Sequence, residues 1–222
     1  MTQPFYRTLS SYLRGKFGHR VQKITLDAGL SCPHRDTDKK GGCIYCNEKG
    51  SGTGANAAGI SLKEQIETQM AIMGRRYKAK AFIAYFQSYS NTYADVDTLK
   101  GIYDEILAYP EIVGLAIGTR PDCIDEEKLA LISSYIPRHL VWLEYGLQSA
   151  SDETLKRINR GHDVKQFIDA VELTARYDIR ICAHVIIGLP GEGMEQYINS
   201  AKLIASLAVT DVKLHLLEHL II

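Results

Sequence analysis

The segment IVGLAIGT, Ile112–Thr119, contains eight consecutive residues without a charged side chain. Its β-branched residues predict a strand, and apolar side chains occur at both odd and even positions. A strand with one solvated face would instead alternate apolar and polar residues. The segment therefore predicts a parallel strand that is covered on both faces, as in a sheet flanked by helices.

Similar segments lie on both sides of this one, and helical patterns separate them. The further predicted strands are residues 21–29, 79–86, 139–149, 179–190 and 211–222. The predicted helices are one that opens at Ser61, with Glu64 completing a capping box, and residues 95–107, 125–135, 152–158, 164–177 and 195–207.

The strict alternation of strands and helices predicts right-handed βαβ units and an α/β fold with six parallel strands. A doubly wound open sheet and a barrel-like sheet both fit this pattern. In either architecture, ligands bind at the carboxyl ends of the strands.

Length and composition favour one cytoplasmic domain. The chain has 222 residues, with 26 Lys plus Arg and 26 Asp plus Glu, so no overall field draws it to nucleic acid or anionic lipid. No stretch approaches the roughly 20 apolar residues of a membrane span, and no signal peptide is recognisable. We expect residues 1–222 to form a single domain; because no helix follows the last strand, truncation at its C-terminal end is an alternative.

Three of the five cysteines, Cys32, Cys43 and Cys46, lie in the loop after the first predicted strand with the spacing C-x10-C-x2-C. A structural zinc site requires a fourth ligand, and the nearby His34 is poorly placed for that role. An iron–sulfur cube held by three cysteines would keep one iron open for a substrate or cofactor. Spacing alone leaves a cluster, a zinc site and unligated thiols as alternatives.

Several motifs together resemble the radical S-adenosylmethionine (SAM) superfamily, and in particular its YhcC/YtqA-like family. They are DAGLSCPHRD and GGCIYCN around the cysteines, QSYSNTYA after the second strand, GTRPDC after the third, EYGLQSASDETLKRINRGHD in the fourth-strand region and IIGLPGE at the end of the fifth. The last three are also similar to oxygen-independent coproporphyrinogen oxidase and the elongator catalytic subunit. The resemblance covers nearly the whole chain and implies a partial (βα)6 TIM-like barrel.

The resemblance also implies roles for individual residues. Cys32, Cys43 and Cys46 would hold a [4Fe-4S] cluster whose open iron chelates SAM. Gln148 and Arg160 would contact the ribose and carboxylate of SAM, and His184 stands where the porphyrin enzyme has an aspartate for the ribose. Backbone contacts to adenine would come from Gly188, Leu189 and Pro190.

Other polar residues at strand ends are candidates on their own chemistry. Gln87, Ser88 and Asn91 could hydrogen-bond to SAM or substrate, the alternative being a solvated turn. Glu144 lies in an apolar strand and is either a site residue or a buried carboxylate with a neighbouring donor.

The remaining cysteines and histidines favour ordinary structural roles. We expect Cys123 and Cys182 to be small buried side chains. For His215 and His219 we favour a structural role over a contact with the ligand.

The implied activity is reductive cleavage of SAM to a 5′-deoxyadenosyl radical, with electrons from a donor such as flavodoxin or ferredoxin. The elongator branch acts on the wobble uridine of tRNA, so tRNA modification is the favoured function. Its sequence support is two basic segments with interleaved aromatics, residues 14–23 and 74–80. The alternatives are a small-molecule substrate and, in a different class, a non-catalytic zinc-bearing RNA-binding module.

Overall fold

The computed structural model describes residues 5–36 and 41–217. Its centre is one sheet of six parallel strands, hydrogen-bonded to one another in chain order. The strands are β1 (Val21–Leu26), β2 (Ala81–Phe86), β3 (Ile112–Thr119), β4 (Leu140–Gln148), β5 (Arg180–Ile187) and β6 (Asp211–Leu216).

Helices connect the strands and pack on the outside of the sheet. In the described part of the chain the α-helices are α1 (Leu9–Phe17), α2 (Pro33–Asp36), α3 (Leu62–Tyr77), α4 (Val96–Asp104), α5 (Glu126–Ser133), α6 (Asp152–Arg157), α7 (Val164–Thr174) and α8 (Met194–Ala205). Short 3-10 helices are Glu105–Ala108, Pro121–Cys123 and Ala175–Tyr177. None of the described helices combines the length and apolar character needed to cross a membrane.

The predicted α/β alternation is confirmed, with element ends that differ by a few residues. Ser61 caps α3, and its capping box with Glu64 is present. The end of the sixth predicted strand, including His219, lies outside the described residues. The short helices α1 and α2 are not predicted by the sequence pattern.

Contacts across the inner face show that the sheet is curled. Lys23 of β1 forms an ion pair with Glu144 of β4, and Lys213 of β6 donates to the hydroxyl of Tyr85 on β2 at 3.3 Å. In a flat sheet, strands three and four positions apart would be separated by about 14 and 19 Å. The strands therefore form a partial barrel, which resolves the choice that the sequence pattern left open.

Two apolar layers surround the strands. The larger lies between the sheet and the outer helices and includes Leu99 and Phe167. The smaller lies inside the curl, where Leu13 of α1 packs with Trp142 and Cys182. Since α1 immediately precedes β1, it covers the amino-terminal end of the interior, and the carboxyl end is left for a ligand.

The expected burial of Cys123 and Cys182 is confirmed. The outward face of β6 exposes three apolar side chains, those of Val212, Leu214 and Leu216, and no described helix covers them.

Candidate active site

A cavity of about 370 Å³ opens at the carboxyl ends of the strands. Its walls bring together side chains from the cysteine loop and from β2 through β6. The predicted site residues that line it are Cys32, Cys43, Cys46, Gln87, Glu144, Gln148, Arg160 and His184. Residues far apart in sequence therefore meet at the edge where parallel α/β folds bind ligands.

The three cysteines approach this cavity from one loop. Cys43 is buried, whereas Cys32 and Cys46 are partly exposed. A turn in which the Cys46 N–H donates to the Cys43 carbonyl at 2.9 Å brings the last two cysteines close together. The loop can therefore present three sulfurs to a single centre.

The segment that follows α6 holds the cysteine loop in place. The Asn159 side-chain amide donates to the Gly42 carbonyl at 2.8 Å, and the Ile44 N–H donates to the Ile158 carbonyl at 3.1 Å. His34 Nε2 lies 2.7 Å from the Asn159 carbonyl oxygen. His34 therefore helps to fix the loop through its Nε2 atom.

Two buried arginines lie next to the cysteines. Arg160 is 6% exposed; its Nη1 lies 3.6 Å from Cys43 Sγ, and its Nη2 donates to the Gly146 carbonyl at 2.8 Å. Arg120 donates to the Arg160 carbonyl at 2.8 Å and forms a bidentate pair with Asp122. Burial raises the pKa of the Cys32 thiol, while the charges of both arginines oppose that rise.

The end of β4 is shaped to admit the Arg160 guanidinium. A Cβ atom at Gly146 would lie 2.5 Å from both Arg160 Nη2 and Gln148 Nε2. A register shift between β4 and β5 occurs here, and Gln148 has a positive φ of 71°. Bulges of this kind redirect side chains near functional sites.

The donor set fits an iron–sulfur cluster better than a single zinc ion. A zinc–sulfur bond of about 2.3 Å would place tetrahedral sulfurs about 3.8 Å apart. Within residues 5–36 and 41–217, the loop sulfurs do not form a group of three ligand atoms within 4.8 Å of one another. Three cysteine sulfurs that are not all as close together as one ion requires, and that lie beside a buried cation, suit a larger cluster.

A second polar group occupies the interior of the barrel below the cysteines. The Glu144 carboxylate, 2% exposed, binds Lys23 and accepts from His184 Nε2 at 2.8 Å. Burial alone would raise the pKa of Glu144, but the His184 hydrogen bond and the charge of Lys23 outweigh it and lower the pKa to about 2. Burial lowers the pKa of His184, so this histidine is a neutral donor. Glu144 is thus a buried, paired carboxylate that also faces the cavity.

The other predicted contact residues are not part of the cavity wall. Ser88 and Asn91 are buried in the turn after β2, where the Asn91 amide donates to the carbonyls of Ser88 and Gly118. Leu189 is buried against Leu155, Ile158 and Ile186. Gly188, which has a φ of 94°, donates its N–H to the Tyr197 hydroxyl at 3.1 Å, and the Pro190 carbonyl accepts from Arg157 at 2.7 Å.

Several cavity residues were not singled out by the sequence analysis: Tyr85, Arg120 and Lys213. His215, for which we favoured a structural role, also lines the cavity. On β6 the polar residues Asp211, Lys213 and His215 alternate with apolar ones, and this alternation is the signal that could have placed them on one face.

The two basic segments meet at the opposite end of the sheet. The Lys80 N–H donates to the Arg20 carbonyl at 3.3 Å, and the Arg20 guanidinium donates to the Tyr77 carbonyl at 3.1 Å. Both contacts precede the amino ends of β1 and β2, whereas the cavity lies at the carboxyl ends. The segments adjoin each other, but they do not adjoin the cavity.

Comparison with known proteins identifies the family. The family model described as the Radical SAM superfamily matches residues 31–204. The Bacillus subtilis protein YtqA is 38% identical over 218 residues, which cover 98% of this chain and 68% of YtqA. Escherichia coli YhcC is 40% identical over 205 residues, which cover 91% of this chain and 65% of YhcC. The chain thus spans about two thirds of the length of these relatives.

Solved structures share the fold at low sequence identity. The archaeal Elp3 of Methanocaldococcus infernus has a TM-score of 0.59 and 18% identity, over 88% of this chain and 45% of that chain. This likeness concerns the architecture, and it agrees with the partial barrel derived from the contacts across the interior.

Proposed function

This chain belongs to the radical SAM superfamily, and from that premise we propose that it modifies the 5-substituent of the wobble uridine of tRNA. It is an enzyme of the radical SAM class, and its cofactors are a [4Fe-4S] cluster and SAM. The observation that carries the proposed radical chemistry is the convergence of Cys32, Cys43 and Cys46 with Arg160 on one cavity.

We propose that the three cysteines of the loop bind the cluster. When bound, the cluster supplies the electron that cleaves SAM to methionine and a 5′-deoxyadenosyl radical, which removes hydrogen from a substrate carbon. The chain itself would orient the reactants and exclude water. The contacts of Asn159 and Ile158 with the loop support this role, because they fix the sulfurs before any ligand binds.

The proposed SAM contacts follow from charge and position. Arg160 has no carboxylate partner in the described part of the chain, and its planar fork suits the carboxylate of SAM. Gln148 and Gln87 line the same wall and would offer their amides to the ribose or amino group. Glu144 and His184 would offer a carboxylate and an imidazole deeper in the barrel.

The turn after β5 is proposed as the adenine contact. Gly188, Leu189 and Pro190 lie beyond the end of that strand, and Leu189 belongs to the same apolar cluster as Tyr45 of the cysteine loop. Ser88 and Asn91 would act indirectly, since they shape the turn that carries Gln87.

The assignment of tRNA as substrate rests on the likeness to the elongator branch, with Elp3 as a structural neighbour. The basic surface formed by residues 14–23 and 74–80 would then bind a part of the RNA distant from the reacting base, because it lies at the other end of the sheet. An electron donor such as flavodoxin or ferredoxin completes the proposed set of partners.

Anaerobic reconstitution followed by nucleoside analysis tests the proposal. We expect a brown protein that releases 5′-deoxyadenosine on reduction with SAM, and an altered wobble uridine in tRNA from a strain lacking the gene. Complementation with the wild-type gene should restore the nucleoside, whereas Cys46→Ser should not. Formation of 5′-deoxyadenosine with unchanged tRNA nucleosides would favour a small-molecule substrate. A colourless protein with stoichiometric zinc would favour the RNA-binding module instead.

A further inference from the structure

Two basic side chains of β6 face the interior of the barrel without an anionic partner. Lys213 and His215 are two residues apart on one strand, so both point inward, and both line the cavity. Opposite them is Tyr85 of β2, whose hydroxyl lies 3.3 Å from Lys213 Nζ. The ammonium group also lies 4.7 Å from the centre of the Tyr85 ring.

The charges inside the barrel do not balance. Two lysines, Lys23 and Lys213, share one carboxylate, that of Glu144, which is bound by Lys23 and by His184. Burial lowers the pKa of Lys213, and the charge of Glu144 opposes that shift. Asp211, also on β6, is bound by Arg180 at 3.0 Å and by the Trp142 indole at 3.1 Å. No carboxylate of residues 5–36 and 41–217 forms an ion pair with Lys213.

The two histidines in the barrel are neutral, so they do not change the balance between the lysines and Glu144. Burial lowers the pKa of His184, and burial together with the charge of Lys213 lowers the pKa of His215 to about 4. Both rings are therefore neutral near pH 7. His215 Nε2 is buried and has no hydrogen-bond partner among the described residues, although the His184 ring is only 5.1 Å away.

An oxyanion would satisfy both groups at once. It could accept from Lys213 Nζ and from the neutral His215 ring in the tautomer that carries its hydrogen on Nε2, and its charge would compensate Lys213 in this partly buried region. A neutral ligand would leave the ammonium without a compensating charge.

A metal ion is a poorer occupant of this region. The ligand atoms of Glu144, Cys182 and His184 do lie within 4.8 Å of one another. However, Lys23 already occupies the carboxylate, and burial raises the pKa of the Cys182 thiol to about 12, so the sulfur is protonated. The excess charge favours an anion.

We propose that Lys213 and His215 form a subsite for an anionic oxygen group of the substrate, a carboxylate or a phosphate. The inference deepens the proposed function, since it names the chemical group of the substrate that enters the barrel. In a tRNA substrate, the group would be a carboxylate on the modified base or a phosphate of the backbone.

Anion binding by the reconstituted full chain tests the subsite directly. The midpoint of thermal unfolding is measured anaerobically, without SAM and with saturating SAM, against increasing sodium acetate or sodium phosphate. Sodium chloride and acetamide serve as controls at matched ionic strength. We expect acetate or phosphate to raise the midpoint beyond the effect of chloride. The more effective of the two probes distinguishes a carboxylate from a phosphate.

Substitutions at Lys213 and His215 test whether these two side chains cause the anion-induced rise in the unfolding midpoint. Lys213→Met and His215→Phe should weaken the apparent affinity for the effective anion at least tenfold, whereas Lys213→Arg should retain most of it. Lys165→Met is the matched control, because this exposed lysine pairs with Asp169 on α7. If Lys213→Met unfolds, His215→Phe and Lys213→Arg still decide the result.

Three results would contradict the proposal of an anion subsite at Lys213 and His215. They are an anion response no larger than that of chloride, an equal response in Lys213→Met, and loss of the wild-type response when SAM is added, which would assign the group to the cofactor. The experiment measures neither tRNA nor 5′-deoxyadenosine, so its failure leaves the proposed function untouched. Failure of the tRNA test likewise leaves the anion result standing.

Discussion

The Nη1 nitrogen of Arg160 lies 3.6 Å from the Sγ atom of Cys43. The same guanidinium donates from Nη2 to the Gly146 carbonyl at 2.8 Å. One side chain thus connects the cysteine loop to the end of β4 and brings a buried positive charge to a sulfur. Hydrogen bonds to cluster sulfurs are among the factors that set the reduction potential.

Replacing Arg160 by Met should make the reduction potential of the cluster more negative. In the wild type, the positive charge and the hydrogen-bond donor of Arg160 both stabilise the reduced cluster, which is the more negative state. The substitution removes both of them from the side of Cys43. A potentiometric titration followed by electron paramagnetic resonance measures this shift. Arg160→Lys should give a smaller shift, and Arg157→Met, which removes a guanidinium paired with Glu153, should give none. Equal potentials in Arg160→Met and the wild type would contradict the assigned contact.

Serine substitutions at the five cysteines should fall into two groups according to how much iron and sulfide the protein retains. We expect serine at Cys32, Cys43 or Cys46 to remove most of the bound iron and sulfide, because each supplies one ligand to the cluster. Serine at Cys123 or Cys182 should leave both contents close to wild type, since these thiols are buried and do not line the cavity. Chemical assays of iron and sulfide, with the visible absorption spectrum, provide the measurement. Iron retained in all three loop variants would exclude the proposed ligand set.

The fold was predictable because local patterns encode it. Apolar residues on both faces of Ile112–Thr119 indicate a covered parallel strand, and that strand is found with the same bounds. Local patterns could not distinguish a barrel from an open sheet. That distinction depends on contacts between distant strands, namely Lys23 with Glu144 and Lys213 with Tyr85. Helix α1 was missed because Leu13 is its one buried residue, so its apolar pattern is weak.

The candidate site was predictable where a motif defines it. The spacing of the cysteines and the segment that contains Arg160 identify their positions without a structure. Lys213 carries no such motif, and Asn159 lies in the quoted segment but was given no role. The roles of both depend on partners more than one hundred residues away, Tyr85 and Gly42. Only the alternation of polar and apolar residues along β6 gave a local signal for Lys213.

Asn159 should control how firmly the cysteine loop retains its cluster. Its amide donates to the Gly42 carbonyl, and its backbone has a left-handed φ of 52°. Glycine readily adopts this backbone conformation, so Asn159→Gly removes only the side-chain amide. We expect a chelator to extract iron from Asn159→Gly several-fold faster than from the wild type, with nearly unchanged thermal unfolding. Asn159→Asp, which cannot donate to the carbonyl, should behave in the same way, and unchanged extraction in both variants would contradict the role.

Glu144→Gln should destabilise the protein in a way that depends on pH. At pH 7 the substitution leaves Lys23 without its partner, and loss of one member of a buried ion pair costs about 3 kcal/mol. In the folded protein the pKa of Glu144 is about 2, below its ordinary value of 4.5. The carboxylate therefore stabilises the fold fully above pH 4.5, and this contribution is lost as the pH falls towards 2.

Urea unfolding of the wild type and Glu144→Gln, measured at intervals from pH 7 to pH 3, tests this dependence. The gap between their free energies of unfolding should be constant above about pH 5 and should narrow below the ordinary carboxyl pKa, since only the wild type loses a charge at this position. Asp169→Asn, which removes an exposed carboxylate paired with Lys165, should produce a gap of less than about 1 kcal/mol throughout. A gap for Glu144→Gln that widened with acidification would mean that burial, rather than the pairing with Lys23 and His184, dominates the ionisation of this carboxyl.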